Sequence, residues 1–317
     1  MTEKNINDAQ HSQALLNQIV SEYFTEQKRK RNWRWVRRSI ILLILVALIG
    51  FIMHGRYADL AARTKPHVGL IDLKGEIVDG QLGSADILMK ALTNAYENKG
   101  LKAVVLRIDS PGGSPVQADN MFSAIRYFRT KYPEVKTYAV CVDTCASAAY
   151  YVATAADEIY ANPSSLVGSI GVVFNGFGFV DAIQKLGVTR RLETAGRNKG
   201  FMDQFSPVNP DQEKKLQTML DLIHQQFIAQ VKLGRGDRLK IDDDTFSGLI
   251  WTGVQAKERG LIDGFASTGQ LVRDVIKVDQ VVDYTEKHSM LDQVADKFGS
   301  AVVNQLPLAL GLKPQIQ

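Results

Sequence analysis

Cysteine is almost absent from this chain of 317 residues: Cys141 and Cys145 are the only two. That is too few for a disulfide framework. In an oxidising compartment the two could pair, but Cys141 falls within a predicted strand, and both are expected to pack as free, buried, small apolar side chains. Histidine is scarce as well, with five copies, and none sits in a recognisable motif. No segment is long and biased enough to be disordered, and no internal repeat is visible. A Walker-type Gly-Lys-Ser/Thr phosphate loop is missing. A basic face is missing too. The formal charge is +4, and residues 1–38, with eight Lys/Arg against four Asp/Glu, supply all of it; the remainder has thirty of each sign. Nucleic-acid binding would need a basic surface on the folded part, so no such partner is expected.

Charge and hydropathy are instead concentrated at the N-terminus. Seven cations fall between Lys28 and Arg38, directly before an uncharged run from Ser39 to Met53. As a helix those 15 residues extend about 22 Å, short of the roughly 30 Å hydrocarbon core. Trp33, Trp35 and Val36 lengthen the run at the interface, while Arg34, Arg37 and Arg38 can snorkel. A buried core helix would show a polar face, and a cleaved signal peptide would have a shorter basic region and an Ala-x-Ala site. The reading is one transmembrane anchor at 39–54, between a basic cytoplasmic tail at 1–38 and a linker at 55–66. The cation excess orients the N-terminus to the cytoplasm and everything after Met53 outside, in the periplasm of a bacterium.

Beyond the linker, strand and helix patterns alternate. Strands are predicted at Val68–Leu73, Ala103–Asp109, Thr137–Val142, Glu158–Ala161, Ile170–Phe174 and Thr189–Glu193. Helices are predicted near Ser84–Asn98, Val116–Tyr132, from Ala148, and at Asp181–Leu186. This rhythm implies one α/β domain, a largely parallel sheet covered by helices, over 67–285. Asn209 and Pro210 open a long helix to about Lys232, in which Leu216, Met219, Leu220, Ile223, Phe227 and Val231 recur as a packing face. Residues 286–317 read as a tail.

Two turns carry chemistry. Ser147 stands among small residues between a predicted strand and a predicted helix, where unpaired N–H groups and the helix dipole favour developing negative charge. An ordinary N-cap is the plainer alternative. Strand Ala103–Asp109 runs into Ser110-Pro-Gly-Gly-Ser-Pro115, whose Gly112 and Gly113 allow backbone N–H groups to approach a ligand closely, as an oxyanion hole requires. A plain strand-to-helix turn is the alternative there. If Ser147 attacks, it needs a base. His11 and His54 lie at or before the anchor, His224 falls inside the long helix with a structural role expected, and His67 and His288 are isolated. A Ser-His-Asp triad stays open, since its members have no fixed order. The other option is a lysine kept neutral by burial, and spacing alone does not choose which.

The segments Asp109-Ser-Pro-Gly-Gly113, Ala146-Ser-Ala-Ala-Tyr-Tyr151, Ala161-Asn-Pro-Ser-Ser-Leu-Val-Gly-Ser-Ile-Gly-Val172 and Trp251-Thr-Gly-Val-Gln-Ala256, followed by Gly260-Leu-Ile-Asp263, occur in the order found in the bacterial signal peptide peptidase A family. The chain resembles its short, single-domain form over roughly residues 66–285. The resemblance implies a crotonase/Clp-protease-like fold and a Ser–Lys dyad. By motif position it implies Ser147 as nucleophile, Lys199 as base, Ser169 as the hydroxyl that orients the lysine, and Gly113 and Ala148 as oxyanion donors, with Gly112 shaping the groove turn. Cys145, the Ala148-Ala149 pair and Leu249 depart from the family's usual alanine, glycine pair and arginine. Lys185, Lys214 and Lys215 are expected to be solvated.

The resemblance further implies peptide substrates of the signal-peptide class and a ring- or dome-like homo-oligomer whose neighbouring protomers share active sites. No metal or cofactor is implied. An amine base predicts a rate that rises from neutral to alkaline pH. The alternatives are a tethered Ser–Lys protease directed at one membrane protein, a crotonase-like acyl-CoA enzyme, made implausible by a periplasmic address, and a non-catalytic anchored scaffold.

Overall fold

A computed structural model describes residues 33, 35–51 and 64–286. They fall into two units, divided near residue 61. In the first, residues 35–51 form helix α1, with apolar side chains exposed on all sides. Among the described residues no helix is long and apolar enough to cross a membrane. Positions 52–54 of the expected anchor lie outside the described residues, as do His11, His54 and His288 and most of both tails.

The second unit is an α/β fold on one mixed sheet. Its strands are β1 (His67–Lys74), β2 (Leu101–Ser110), β3 (Lys136–Ala146), β4 (Glu158–Ala161), β5 (Leu166–Gly168), β6 (Ile250–Thr252), β7 (Gly264–Phe265) and β8 (Val281–Asp283). They run in the order β6-β5-β3-β2-β1-β8, with β4 and β7 branching from β3. Every pairing is parallel except β5 with β6. Parallel strands are covered on both faces, so their side chains alternate between two apolar layers. Along β2, Val104, Leu106 and Ile108 enter the larger core, while Ala103 and Val105 enter the smaller one on the other face.

Helices α2 (Ala85–Tyr96), α3 (Pro115–Lys131) and α4 (Ala148–Ala153) supply the larger layer. Pro115 at the first position and the Ser114 side chain, which accepts the Gln117 N–H, start α3. Helix α5 (Val180–Lys185) is short; α6 (Pro210–Arg235) is capped by Asn209, whose side chain accepts the Asp211 N–H. Helix α7 (Gly253–Glu258) opens with a Thr252/Gln255 capping box.

Three sequence expectations change. The strand predicted at Ile170–Phe174 lies earlier, at β5. No strand forms at Thr189–Glu193: that stretch is exposed and pairs with no strand among the described residues, and a β pattern without a neighbouring strand leaves its backbone to solvent. The apolar stripe of α6 divides. Phe227 and Val231 enter the core, while Leu216, Met219, Leu220 and Ile223 line a cavity.

Candidate active site

Strand β3 ends at Ala146 and α4 begins at Ala148, so Ser147 makes the whole connection. Its backbone pays with φ 54° and ψ −126°, a conformation that costs a non-glycine residue about 1–3 kcal/mol. The surroundings enforce it. The Ser147 N–H donates to Gly168 O at 2.8 Å, and Ser147 O accepts the Tyr151 N–H at 3.0 Å. The hydroxyl does not cap the helix, so the plain N-cap reading is not what the structure shows. Small Ala148 and Ala149 are buried behind it. Cys141 and Cys145 are free and buried, and burial pushes the Cys145 thiol well above its ordinary range, which makes it a packing group rather than a rival nucleophile.

The glycine turn closes against Ser147. A Cβ on Gly112 would lie 2.7 Å from the Ser147 Cβ, and one on Gly113 would lie 2.2 Å from Ile77 O. Both positions have positive φ, 112° and 146°. Ile77 bridges the turn, donating to Gly112 O and accepting from the Ser114 N–H, each at 2.8 Å. The Gly113 N–H between them is left without an acceptor among the described residues, and so is the Ala148 N–H. Gly113, Ser147, Ala148 and Ser169 line one cavity of about 660 Å³.

Ser169 is held by a second strained turn. Gly168 has φ 105° and Ser169 φ 52°. The Ser169 N–H donates to Leu249 O at 2.8 Å, a backbone contact that does not depend on the side chain at 249. Trp251 leaves no room for a side chain at Gly168, where a Cβ would lie 2.8 Å from its ring.

Lys199 stands on an exposed turn and is not among the residues lining the Ser147 cavity. Lys185, Lys214 and Lys215 are exposed as expected, so exposure does not set Lys199 apart from them. The turn belongs to a stretch with an apolar exterior: Val173, Phe174, Phe177, Leu186, Val188 and Val208 are all more than half exposed. Neither described histidine lines the cavity. A ring nitrogen of His224 contacts Ile170 O at 3.0 Å, and buried His67 contacts Tyr284 Oη at 2.9 Å. One polar element was not anticipated. The Tyr151 hydroxyl donates to Asp119 Oδ1 at 2.6 Å, and both residues line the cavity. No periodicity marks Asp119, and only the fold brings α3 and α4 together there.

A strained serine with an uncommitted hydroxyl, beside two free amide donors in an apolar cavity, is the equipment of an acyl-transfer enzyme. Residues 130–283 match the family described as Peptidase family S49. A protein of Brucella abortus named "Na(+)/H(+) antiporter NhaA" is 36% identical over 260 residues, covering 80% of this chain and 34% of that protein. The Synechocystis protein slr0021, a candidate protease by name, is 28% identical over 74% of this chain and 89% of its own length. "Protease 4" of Haemophilus influenzae is 26% identical over 71% of this chain and 36% of its own. The chain therefore spans about a third of the Brucella and Haemophilus relatives. The family match and the protease-named relatives together support an SppA-like serine peptidase of the S49 type.

Proposed function

We propose that the chain is a membrane-anchored endopeptidase that cleaves signal-peptide remnants with a Ser–Lys dyad. Ser147 attacks a peptide carbonyl, the Gly113 and Ala148 amides hold the oxyanion, and the acyl-enzyme is released by water. The observation that carries this reading is the strained Ser147, its hydroxyl free, facing the cavity that Gly113, Ala148 and Ser169 share.

Lys199 acts as the base from a neighbouring subunit, with Ser169 orienting it. Its exposure in the single chain and the apolar exterior of residues 172–208 support that reading, since both suit a surface that a second copy covers. A homo-oligomer with shared sites and a crotonase/Clp-like fold follow from the family likeness. Residues 39–54 anchor the protein in the inner membrane with its N-terminus cytoplasmic, supported by the seven cations before the run. The apolar wall of the cavity suits peptides derived from apolar segments.

A survey of membrane peptides in cells with wild-type protein and with Ser147→Ala tests this. Peptide remnants accumulate in the variant if the reading holds. Accumulation of one intact membrane protein instead favours a dedicated protease, and no difference favours an inactive scaffold.

A further inference from the structure

We propose that the cavity beside Ser147 selects a cationic side chain, lysine or arginine, next to the scissile bond, and that the Asp119 carboxylate recognises it. The inference rests on the peptidase reading above and names the substrate feature that reading leaves open.

Asp119 is the one charged side chain among the described residues lining the cavity. It projects from α3, which begins two residues after Gly113, so it shares the wall with the proposed oxyanion donor. Oδ1 takes the Tyr151 hydroxyl at 2.6 Å, and among the described residues no hydrogen bond or ion pair occupies Oδ2. Tyr151 is a fixed donor. Its ring is 3% exposed and lies against Phe122 and Phe227, with centroids 5.7 and 5.0 Å away. Burial, and then its bond to Asp119, push the phenol pKa well above the ordinary tyrosine range, so it stays protonated and keeps donating.

The carboxylate is thus aimed and half satisfied, with no cationic side chain among the described residues that line the pocket. Around it the walls are mostly apolar, with Val116, Leu216, Leu220 and Ile223 among them and Asn120 and Gln226 as uncharged polar neighbours. An apolar corridor with one carboxylate matches a side chain with a long aliphatic stem and a cationic head. An acidic side chain there meets like charge, and a purely aliphatic one leaves the carboxylate desolvated with one oxygen unpaired.

The test uses the full-length protein and quenched fluorescent peptides that differ only at the residues flanking the cleaved bond. Lysine is compared with norleucine, its uncharged counterpart, and with glutamate. The expected kcat/KM preference for lysine over norleucine is about tenfold, at the low end of what close charge pairs supply. Asp119→Asn, which keeps an acceptor for Tyr151, brings that ratio close to one, and Asp119→Lys inverts it in favour of glutamate. Equal cleavage of lysine and norleucine peptides by the wild type overturns the proposal without needing any variant. So does an unchanged ratio in Asp119→Asn with all rates lowered together, which is what a purely structural carboxylate would give. Cleavage that depends on Ser147 but ignores charge defeats this inference alone. Absence of any Ser147-dependent cleavage defeats the peptidase reading and this inference with it.

Discussion

The Ser147 N–H donates to the Gly168 carbonyl at 2.8 Å, which ties the strained serine at the end of β3 to the residue just before strained Ser169. Two residues in costly conformations are therefore locked to each other across two neighbouring strands of one sheet, through the β3–β5 pairing. Strain of this kind persists only where the surroundings over-determine it. Here they are a parallel strand pair, the glycine turn at 112–113 and Trp251 packed over Gly168.

Gly112 bears on this arrangement directly. An alanine there must hold φ near 112° and place its Cβ 2.7 Å from that of Ser147. Gly112→Ala should lower kcat by about 10² or more, because a displacement near 1 Å at the reacting atoms has that effect. Circular dichroism checks that the fold survives while peptide turnover is lost.

Subunit mixing tests where the base comes from. Ser147→Ala and Lys199→Ala are each expected to be inactive alone. Co-expressed, they should regain activity, with roughly a quarter of sites intact if each dyad joins neighbouring protomers at random. Peptide turnover by the co-purified assembly measures this, and a dyad within one chain would restore nothing.

A pH effect on stability follows from Asp263. Burial alone would raise its pKa, but hydrogen bonds and charge from Arg235, with Arg238 nearby, outweigh it and hold the carboxyl below the usual carboxylate range. A depressed carboxylate contributes stability that is complete above its unfolded pKa and is lost as pH falls through the folded one. Thermal unfolding should therefore be insensitive to this pair near neutrality and weaken at strongly acidic pH. Arg235 is 1% exposed, so Asp263→Asn at neutral pH should cost about 3–5 kcal/mol by leaving a buried charge without its counterion. Denaturant titration of both proteins measures the difference.

Much of the site was legible because its residues are small and lie at strand ends. The β3–Ser147–α4 junction and the Gly112–Gly113 turn follow from local pattern, since only certain residues can make such turns. The Ser169 turn was reachable only through family likeness: its strain comes from β5 pairing with β3 and β6, partners far apart in sequence. Periodicity in α6 marked an apolar stripe correctly but could not say that half of it faces a cavity. The false strand at 189–193 has the same origin, because a β pattern reports side-chain preference and not the presence of a partner. Asp119 was silent, since a polar residue on an amphipathic helix gains meaning only from what the fold sets opposite it.

The central claim is that Ser147 is the nucleophile, and fluorophosphonate labelling of the full-length protein tests it most directly. The account predicts one covalent adduct, located by mass spectrometry on Ser147, absent from Ser147→Ala, with loss of peptide turnover in step with labelling. An unlabelled wild-type protein that still cleaves peptides, or an adduct that persists in Ser147→Ala, would contradict it.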